Sequence, residues 1–335
     1  MFDDFFSNEL GGDSIRAIEV VCALPKRPDF FIDIADFYAN PTIEGLANLY
    51  RDYESGAVAQ KKTGLLVDIT PLQESADTNH TAEKINYILC PYGGGNAFTY
   101  LPLALELGAA MSSLGKGCGI FAVNLPGHRL DGSDSSLLDL ETVADQIMME
   151  IQLNPNFANQ KIVIYAHCVG NALGLMLVRR LENFNYNVLR FFSGGAFPEK
   201  HIRLYPKRYD PWKFFSNDRV IKSLISVGMP SGEIDGSTKA EIMAAFRHDV
   251  LQYYDYMIKI SREKSHAVMS PIVAIMGEED KMTRGFHKKY KTWQKYTYGK
   301  VSYFSIPGAK HYFIKTHAAE LSKLICSELM FYPQN

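Results

Sequence analysis

The stretch KIVIYAHCVGNALGLMLVRRLE, residues 161–182, decides the fold. Its first six residues have the apolar, β-branched and aromatic composition of a buried strand, and the residues from Gly170 onwards have the spacing of a helix. A strand that turns sharply into a helix lifts one side chain above the sheet, and here that side chain is Cys168. Ala166 and Gly170, two positions away on either side, are as small as the close approach of strand and helix requires.

Cys168 is therefore predicted to be a nucleophile. The N–H groups at the start of the following helix are directed at its sulfur, which favours the thiolate. A buried structural cysteine at a strand end is the alternative interpretation, because free cysteine is among the most buried residue types. The rest of the chain has to supply a base and an acid if the first interpretation is right.

The sequence on both sides of this turn alternates between short apolar runs and helical stretches. Such alternation favours an α/β fold with a mostly parallel sheet and helices on both faces. No strand is predicted between residues 193 and 271, where helical stretches near 217–227 and 237–260 indicate a lid at about residues 199–266. Strands are predicted at residues 85–90, 119–123, 161–166, 188–193, 271–276 and 301–306, and helices near residues 97–112, 139–152, 170–183, 284–296 and 315–330.

An acid and a base follow Cys168 in the order nucleophile, acid, base that this kind of site requires. Asp280 lies in GEEDKM, directly after a predicted strand, and His311 lies in PGAKHYF, after the next one. His311 is predicted to take the Cys168 proton, while Asp280 fixes the imidazole tautomer and stabilises its cation. The alternatives are a solvated loop aspartate and a surface histidine.

A glycine-rich segment completes the predicted site. PYGGGNAF, residues 91–98, follows the strand predicted at residues 85–90. The N–H groups of Gly93 and Gly94, with that of Val169, are predicted to stabilise a developing oxyanion. A phosphate-binding loop is the competing interpretation, but GGGN lacks the G-x-G-x-x-G or G-K-[ST] context.

Composition narrows the function further. The 335 residues carry a net charge of −2, so the chain lacks the basic surplus expected of a nucleic-acid-binding protein. No segment approaches the roughly 20 consecutive apolar residues of a membrane helix, and the start MFDDFFSNEL lacks the positive region of a secretory signal. The five cysteines show neither paired spacing nor a histidine cluster, so no disulfide framework and no metal site are indicated, and a reducing cytoplasm is expected.

The first 53 residues differ from the rest of the chain. They are predicted to form short helices, one opened by Ser14, another at about 32–38, and a third running from Asn40-Pro41 to about Tyr50. The small and polar segment ESGAVAQKK, residues 54–62, is predicted to be a linker to a domain at residues 63–335.

Residues 63–331 resemble the thioesterases of nonribosomal peptide and polyketide synthases. The motifs PYGGGNAFTY, NLPGH, AHCVG, PIVAIMGEEDKM and IPGAKHYF carry the resemblance, together with the lid segment from SNDRV to YYDY. It implies an α/β-hydrolase fold with a helical lid. The lid and Asp280 resemble the discrete, editing type, whereas DITPLQES resembles thioesterases fused behind a carrier, many of which have their acid where this chain has SGGAFP and no carboxylate.

Residues 1–50 resemble a peptidyl carrier domain. FFSNELGGDSIRAIEVV matches the carrier motif F-x-x-LGGDS-[LI], and DIADFYANPTIEGLANLY matches its later helices. The resemblance implies that Ser14 receives a 4'-phosphopantetheine arm, whereas an N-cap serine on an ordinary helix is the alternative. A carrier normally has one more helix before this motif, so residues 1–53 are expected to be a partial carrier domain within a longer protein.

The two resemblances together imply a function and its partners. Upstream synthetase modules and carrier domains would present an acyl or peptidyl thioester, which passes to Cys168 and is released by hydrolysis or intramolecular cyclisation. Since an acyl-cysteine keeps the transfer potential of a thioester, the alternative is an acyl or aminoacyl transferase that shuttles between carriers. A non-catalytic carrier-docking module is the third hypothesis, and neither nucleic acid nor a membrane is expected as a partner.

Overall fold

The computed structural model describes residue 40 and residues 42–55, 64–71, 84–128, 136–229, 236–263 and 267–330. Of the predicted carrier segment, the described part contains helix α1 (Ile43–Glu54), which is the third helix expected there. Ser14, the two preceding helices and residues 56–62 of the linker lie outside the described residues.

Seven strands form one sheet in the order β1-β3-β2-β4-β5-β6-β7. All neighbours are parallel except β1, which pairs antiparallel with β3 at the edge. The six strands predicted from the sequence are confirmed, whereas β1 was missed because three residues are too few to show a periodicity. The strands are β1 (Leu66–Asp68), β2 (Lys84–Cys90), β3 (Gly117–Val123), β4 (Lys161–His167), β5 (Asn187–Gly194), β6 (Ile272–Gly277) and β7 (Val301–Ile306).

Helices connect the parallel strands, as they must when successive strands run in the same direction. The helices are α2 (Leu101–Ser113), α3 (Leu140–Leu153), α4 (Asn171–Asn183), α5 (Asn217–Ser226), α6 (Gly236–Arg262), α7 (Phe286–Lys289), α8 (Phe313–Thr316) and α9 (Ala318–Met330). The continuous helix expected near residues 284–296 is wrong, because α7 passes into a 3₁₀ helix at Tyr290–Lys295. This segment places Trp293 in the core, with its ring edge against Phe191.

The core lies in two layers, one on each face of the sheet. Along β2, Ile88 packs in one layer and Tyr87 and Leu89 in the other, because successive side chains of a strand point to opposite faces. Helices α3 and α4 cover the first layer, and α2 and α9 cover the second. The expectation of a mostly parallel sheet with helices on both faces is therefore confirmed.

Helices α5 and α6 lie in the segment predicted to be a lid, and they have a small core of their own. Val220 and Leu224 of α5 pack against Met243, Phe246 and Val250 of α6. Val169 and Trp212 contact the same cluster, so this helical pair joins the sheet domain next to the strand-to-helix turn.

The described residues contain no disulfide, no metal-binding cluster and no membrane-spanning helix. Cys90, Cys118, Cys168 and Cys326 are all free thiols. In the described ranges, no group of three or more His, Cys, Asp and Glu side chains is arranged to hold a metal ion. None of the helices that the structure describes combines the length and the apolar character needed to cross a membrane.

Gly170 fits a tighter space than the sequence pattern suggested. A Cβ atom on Gly170 would lie 2.1 Å from the carbonyl oxygen of Pro91, at the end of β2. The small size of Ala166 serves a different contact, because its Cβ would be 2.7 Å from a Cβ placed on Gly174 of α4. The close approach at Gly170 is therefore between the turn and the neighbouring strand end.

We expect Gly170→Ala to lower the free energy of unfolding by about 1–3 kcal/mol, because the added methyl group overpacks a site bounded by rigid backbone. The φ of −58° at Gly170 suits alanine, so the clash alone causes the loss. Gly117→Ala is the matched control, since its Cβ would meet only the Lys84 side chain at 3.8 Å. Urea unfolding measures both variants, and equal stability of the two would contradict the prediction.

Candidate active site

The turn after β4 holds Cys168 in a backbone conformation that residues other than glycine seldom adopt. Its φ is +53°, in the left-handed region. The side-chain amide of Asn171 donates hydrogen bonds to the Cys168 carbonyl at 2.8 Å and to the Gly194 carbonyl at 3.1 Å. The turn is thereby bound to the end of β5, and Cys168 is left half-buried at the carboxyl ends of the central strands.

The structure brings His311 and Asp280 together beside this turn. Nδ1–H of His311 donates to Oδ2 of Asp280 at 2.8 Å, and both side chains are buried. Asp280 also accepts the Met282 N–H at 2.8 Å and the Thr283 hydroxyl at 2.7 Å. These bonds fix the carboxylate, and since it accepts from Nδ1, Nε2 is the ring nitrogen that can exchange a proton.

Burial and neighbouring charges act in opposite directions on His311. Burial lowers the pKa of His311, but the Cys168 thiolate and the Asp280 carboxylate outweigh it and raise that pKa to about 10. Burial also raises the pKa of the Asp280 carboxyl, but the hydrogen bond and charge of His311 outweigh it and lower that pKa. Nε2 of His311 is buried and meets no hydrogen-bond acceptor at normal distance among the described residues, and the Cys168 side chain is close enough to raise the pKa of the ring.

His167 lies behind His311, in the core and facing neither the lid nor a pocket. Its Nε2–H donates to the main-chain carbonyl of His311 at 2.9 Å, and its Nδ1 accepts the Tyr165 hydroxyl at 2.9 Å. Burial, aided by the positive charge of His311, lowers the pKa of His167 to about 3, so its ring is neutral. The neutral tautomer follows from the partners, because a carbonyl can only accept.

The end of β5 carries no acid, in agreement with the sequence SGGAFP. A Cβ on Gly194 would lie 2.8 Å from Nδ1 of His167, and a Cβ on Gly195 would lie 3.2 Å from Cε1 of His311. The two histidine rings occupy the space around these glycines. Asp280, which follows β6, is thus the carboxylate that reaches His311.

The glycine-rich loop lies against the nucleophile turn. A Cβ on Gly93 would lie 3.0 Å from Cγ2 of Val169, so the loop at Gly93 packs against the Val169 side chain. The Gly94 N–H, however, donates to Oδ2 of Asp249 in α6 at 2.8 Å. In the described part of the chain, the N–H groups of Gly93 and Val169 donate no hydrogen bond, so these two are open to an oxyanion while Gly94 is occupied.

A cavity of about 730 Å³ opens onto Cys168 and His311. Its walls are mainly apolar and aromatic, and they come largely from α5, α6 and the segment after β5. The principal side chains are Phe197, Trp212, Leu224, Phe246, Val250 and Tyr253, with Glu199, Lys200, Lys288 and Lys289 as charged members. A cavity of this size and polarity suits an acyl chain or a short peptide.

The sequence did not identify several residues that hold the site together. Asn171 and Thr283 each stand three positions after a predicted catalytic residue, which is the one signal that could have drawn attention to them. Asp249 lies 155 residues from Gly94, and His167 acts through a main-chain carbonyl 144 residues away. No local pattern reveals such partners.

Comparison with known proteins agrees with this architecture. Residues 88–324 match the model of the alpha/beta hydrolase family, and residues 3–50 match that of the phosphopantetheine attachment site. A plipastatin synthase polypeptide of Bacillus subtilis (strain 168) is 30% identical over 109 residues, which are 32% of this chain. The chain spans only 3% of the length of that relative.

Solved structures share the fold at low sequence identity. The type II thioesterase BorB from the borrelidin biosynthetic cluster is 19% identical with a TM-score of 0.56, and the match covers 81% of this chain and 100% of that one. YbtT, a type II thioesterase from the yersiniabactin NRPS/PKS pathway, is 14% identical with a TM-score of 0.58, covering 79% and 97%. The α/β-hydrolase fold expected from the sequence is confirmed, and the chain belongs to the alpha/beta hydrolase family, with a phosphopantetheine attachment segment ahead of the hydrolase domain.

Proposed function

We propose that this protein is a nonribosomal peptide synthetase thioesterase with Cys168 as its nucleophile. It takes an acyl or peptidyl group from a carrier phosphopantetheine and releases it by hydrolysis or intramolecular cyclisation. One observation carries the proposal: a half-buried cysteine at φ +53° opens into an apolar cavity beside a His311–Asp280 pair. The similarity of fold to type II thioesterases and the carrier match at residues 3–50 support it.

The chemistry follows from the three side chains. The Cys168 sulfur attacks the thioester carbonyl, the carbonyl oxygen becomes negative, and the bond to the pantetheine sulfur breaks when the carbonyl reforms. The His311 imidazolium gives its Nε2 proton to the departing pantetheine thiolate. Neutral His311 then takes a proton from water as the water attacks the acyl-Cys168. The bond between the carbonyl carbon and the Cys168 sulfur breaks when the carbonyl reforms, and the free acid leaves the starting pair of Cys168 sulfur and His311 imidazolium behind. Asp280 keeps the imidazole oriented and stabilises its cation throughout.

The N–H groups of Gly93 and Val169 are proposed to stabilise the oxyanion of both steps. Val169 follows Cys168 in the chain and Gly93 lies against the Val169 side chain, and neither N–H makes a hydrogen bond among the described residues. Preformed donors of this kind stabilise developing charge without reorganisation. Gly94 was expected to contribute as well, but its N–H is engaged with Asp249.

Transfer to a second carrier is an alternative outcome at the same site, and the identity of the nucleophile favours it. A serine ester loses the activation of the incoming thioester, whereas an acyl-Cys168 keeps it. The retained potential serves the acylation of another carrier thiol or the closure of a strained ring. Hydrolysis, cyclisation and transfer therefore share the first acylation and differ in the group that attacks next.

The partners follow from the two segments. Ser14 is the proposed attachment point of 4'-phosphopantetheine, and upstream synthetase modules with their carrier domains are the proposed source of the acyl group. The hydrolase domain is proposed to span residues 63–335, with the lid at about residues 199–266.

The acylation is tested by intact-protein mass spectrometry with an acyl-pantetheine thioester. We expect a mass increase equal to the acyl group on the native protein and none on Cys168→Ala, because no other described thiol lies in the cavity. His311→Asn should slow the appearance of the adduct while leaving its position unchanged. An adduct of undiminished yield in Cys168→Ala would contradict the assignment, and the absence of any adduct would favour a non-catalytic docking module.

The charge state of His311 provides a second test. Removing the thiolate in Cys168→Ala should lower the pKa of His311 from about 10, because burial opposes the imidazolium and Asp280 alone remains to support it. At pH 8 the native ring is therefore expected to be imidazolium, and the variant is expected to lose its proton at a lower pH. The ¹H–¹³C NMR signals of the ring measure both titrations.

His167 serves as an internal control in the same spectra, because its pKa of about 3 keeps the ring neutral from pH 5 upwards in both proteins. An identical titration midpoint for His311 in the native protein and the variant would disprove the coupling between the imidazole and the thiolate.

A further inference from the structure

One carboxylate of the lid helix α6, that of Asp249, contacts the glycine-rich loop. Asp249 is buried, and its Oδ2 accepts two hydrogen bonds, from the Gly94 N–H at 2.8 Å and from Nε2 of His128 at 2.7 Å. Its Oδ1 lies 3.7 Å from Nδ1 of His248, the preceding residue on the helix. A single side chain thus connects the lid to two loops at the carboxyl ends of β2 and β3.

The partners of His128 show that this contact is an ion pair. Nε2 faces the Asp249 carboxylate, and Nδ1 lies 3.0 Å from the carbonyl oxygen of Pro126. Both partners can only accept, so both ring nitrogens must donate and the imidazole is charged. Burial lowers the pKa of His128, but Asp249 outweighs it and raises that pKa.

The loop is shaped for close contact with the lid helix. Gly94 has a φ of +72°, and a Cβ there would lie 3.2 Å from the main-chain oxygen of Ile242 in α6. A Cβ on Gly93 would lie 3.1 Å from the Phe246 ring of the same helix, besides its approach to Val169. The backbone of the loop therefore packs directly against α6, and the hydrogen bond from the Gly94 N–H to Asp249 fixes the orientation of the loop.

We propose that Asp249 is a positioning residue for the oxyanion site. By binding the Gly94 N–H and His128, it holds the glycine loop so that the Gly93 N–H, paired with that of Val169, remains available to the oxyanion. Helix α6 thereby completes the site that stabilises the tetrahedral intermediate. This inference rests on the proposed acylation of Cys168.

Two reactions of Cys168 distinguish a loss of oxyanion positioning from a general distortion of the site. Acylation by an acyl-pantetheine thioester passes through an oxyanion, whereas alkylation by iodoacetamide displaces iodide and forms none. We expect Asp249→Ala to lower the single-turnover acylation rate at saturating thioester by roughly 10–100-fold. This is less than the roughly 100–1,000-fold cost of losing an oxyanion donor outright, because the Gly93 N–H is displaced and not removed. The alkylation rate should stay within about twofold, because the thiol and its imidazole are untouched.

Asp255→Ala is the matched control. Asp255 is a second carboxylate on α6 that also accepts a backbone N–H, from Arg208 at 2.6 Å, but it does not line the cavity. Its removal should leave both rates within about twofold of the native protein, since it positions no group at the site. If the acylation rate fell to the same degree in Asp249→Ala and Asp255→Ala, the loss of any hydrogen bond of α6 would suffice to slow acylation. That result would overturn the proposal.

Asp249→Asn covers the case in which the alanine variant fails to fold, as judged by its thermal unfolding. Its amide oxygen, in the place of Oδ2, can still accept the Gly94 N–H and the His128 N–H but carries no charge to stabilise the imidazolium of His128. Its acylation rate should therefore fall less than that of Asp249→Ala, while alkylation is unchanged. Unchanged acylation in both variants, or acylation and alkylation that decline together, would overturn the role of Asp249. An inert native protein would instead disprove the acylation itself, and this inference with it.

Discussion

The left-handed turn at Cys168 is the constraint on which the other parts of the site depend. A φ of +53° is unfavourable for a residue with a Cβ, and such strain persists only where the surroundings hold it. Here they do so by backbone contact: Gly170 lies against the Pro91 carbonyl, and the Asn171 amide binds the Cys168 and Gly194 carbonyls. Three central strands therefore meet around one turn, and the sulfur can point only into the space above them.

The histidine and its support follow from this placement. His311 approaches from the end of β7, Asp280 orients the side-chain ring, and His167 holds the main chain behind it. Because His167 is neutral and His311 is positive, two buried imidazoles can lie side by side without strong repulsion. The Cys168 thiol and the buried His311 ring lie at the wall of the same cavity.

The segment predicted to be a lid contributes a buried carboxylate as well as part of the cavity wall. Its apolar side chains, such as Phe246 and Trp212, line the cavity where an acyl group would lie. Its buried carboxylate, Asp249, bonds to the glycine loop and to His128. Such a buried pair costs desolvation that only good geometry offsets. The two hydrogen bonds of Asp249 join α6 to the loops after β2 and β3, and the proposed role of this residue rests on that connection.

The sequence by itself determined the sheet and the turn, and it placed Cys168, Asp280 and His311 at strand ends, because periodicity, small residues and strand ends are local properties of the chain. It gave no sign of the edge strand β1, and it wrongly extended a helix past Lys289, where the chain winds into a 3₁₀ helix and places Trp293 in the core. Only the tertiary structure decided which glycine N–H is free and that His167 binds the main-chain carbonyl of His311. Those answers depend on contacts between residues more than a hundred positions apart, such as Gly94 with Asp249. Hydrogen bonds over such a separation are set by how helices pack on the sheet, and no local pattern of residues encodes them.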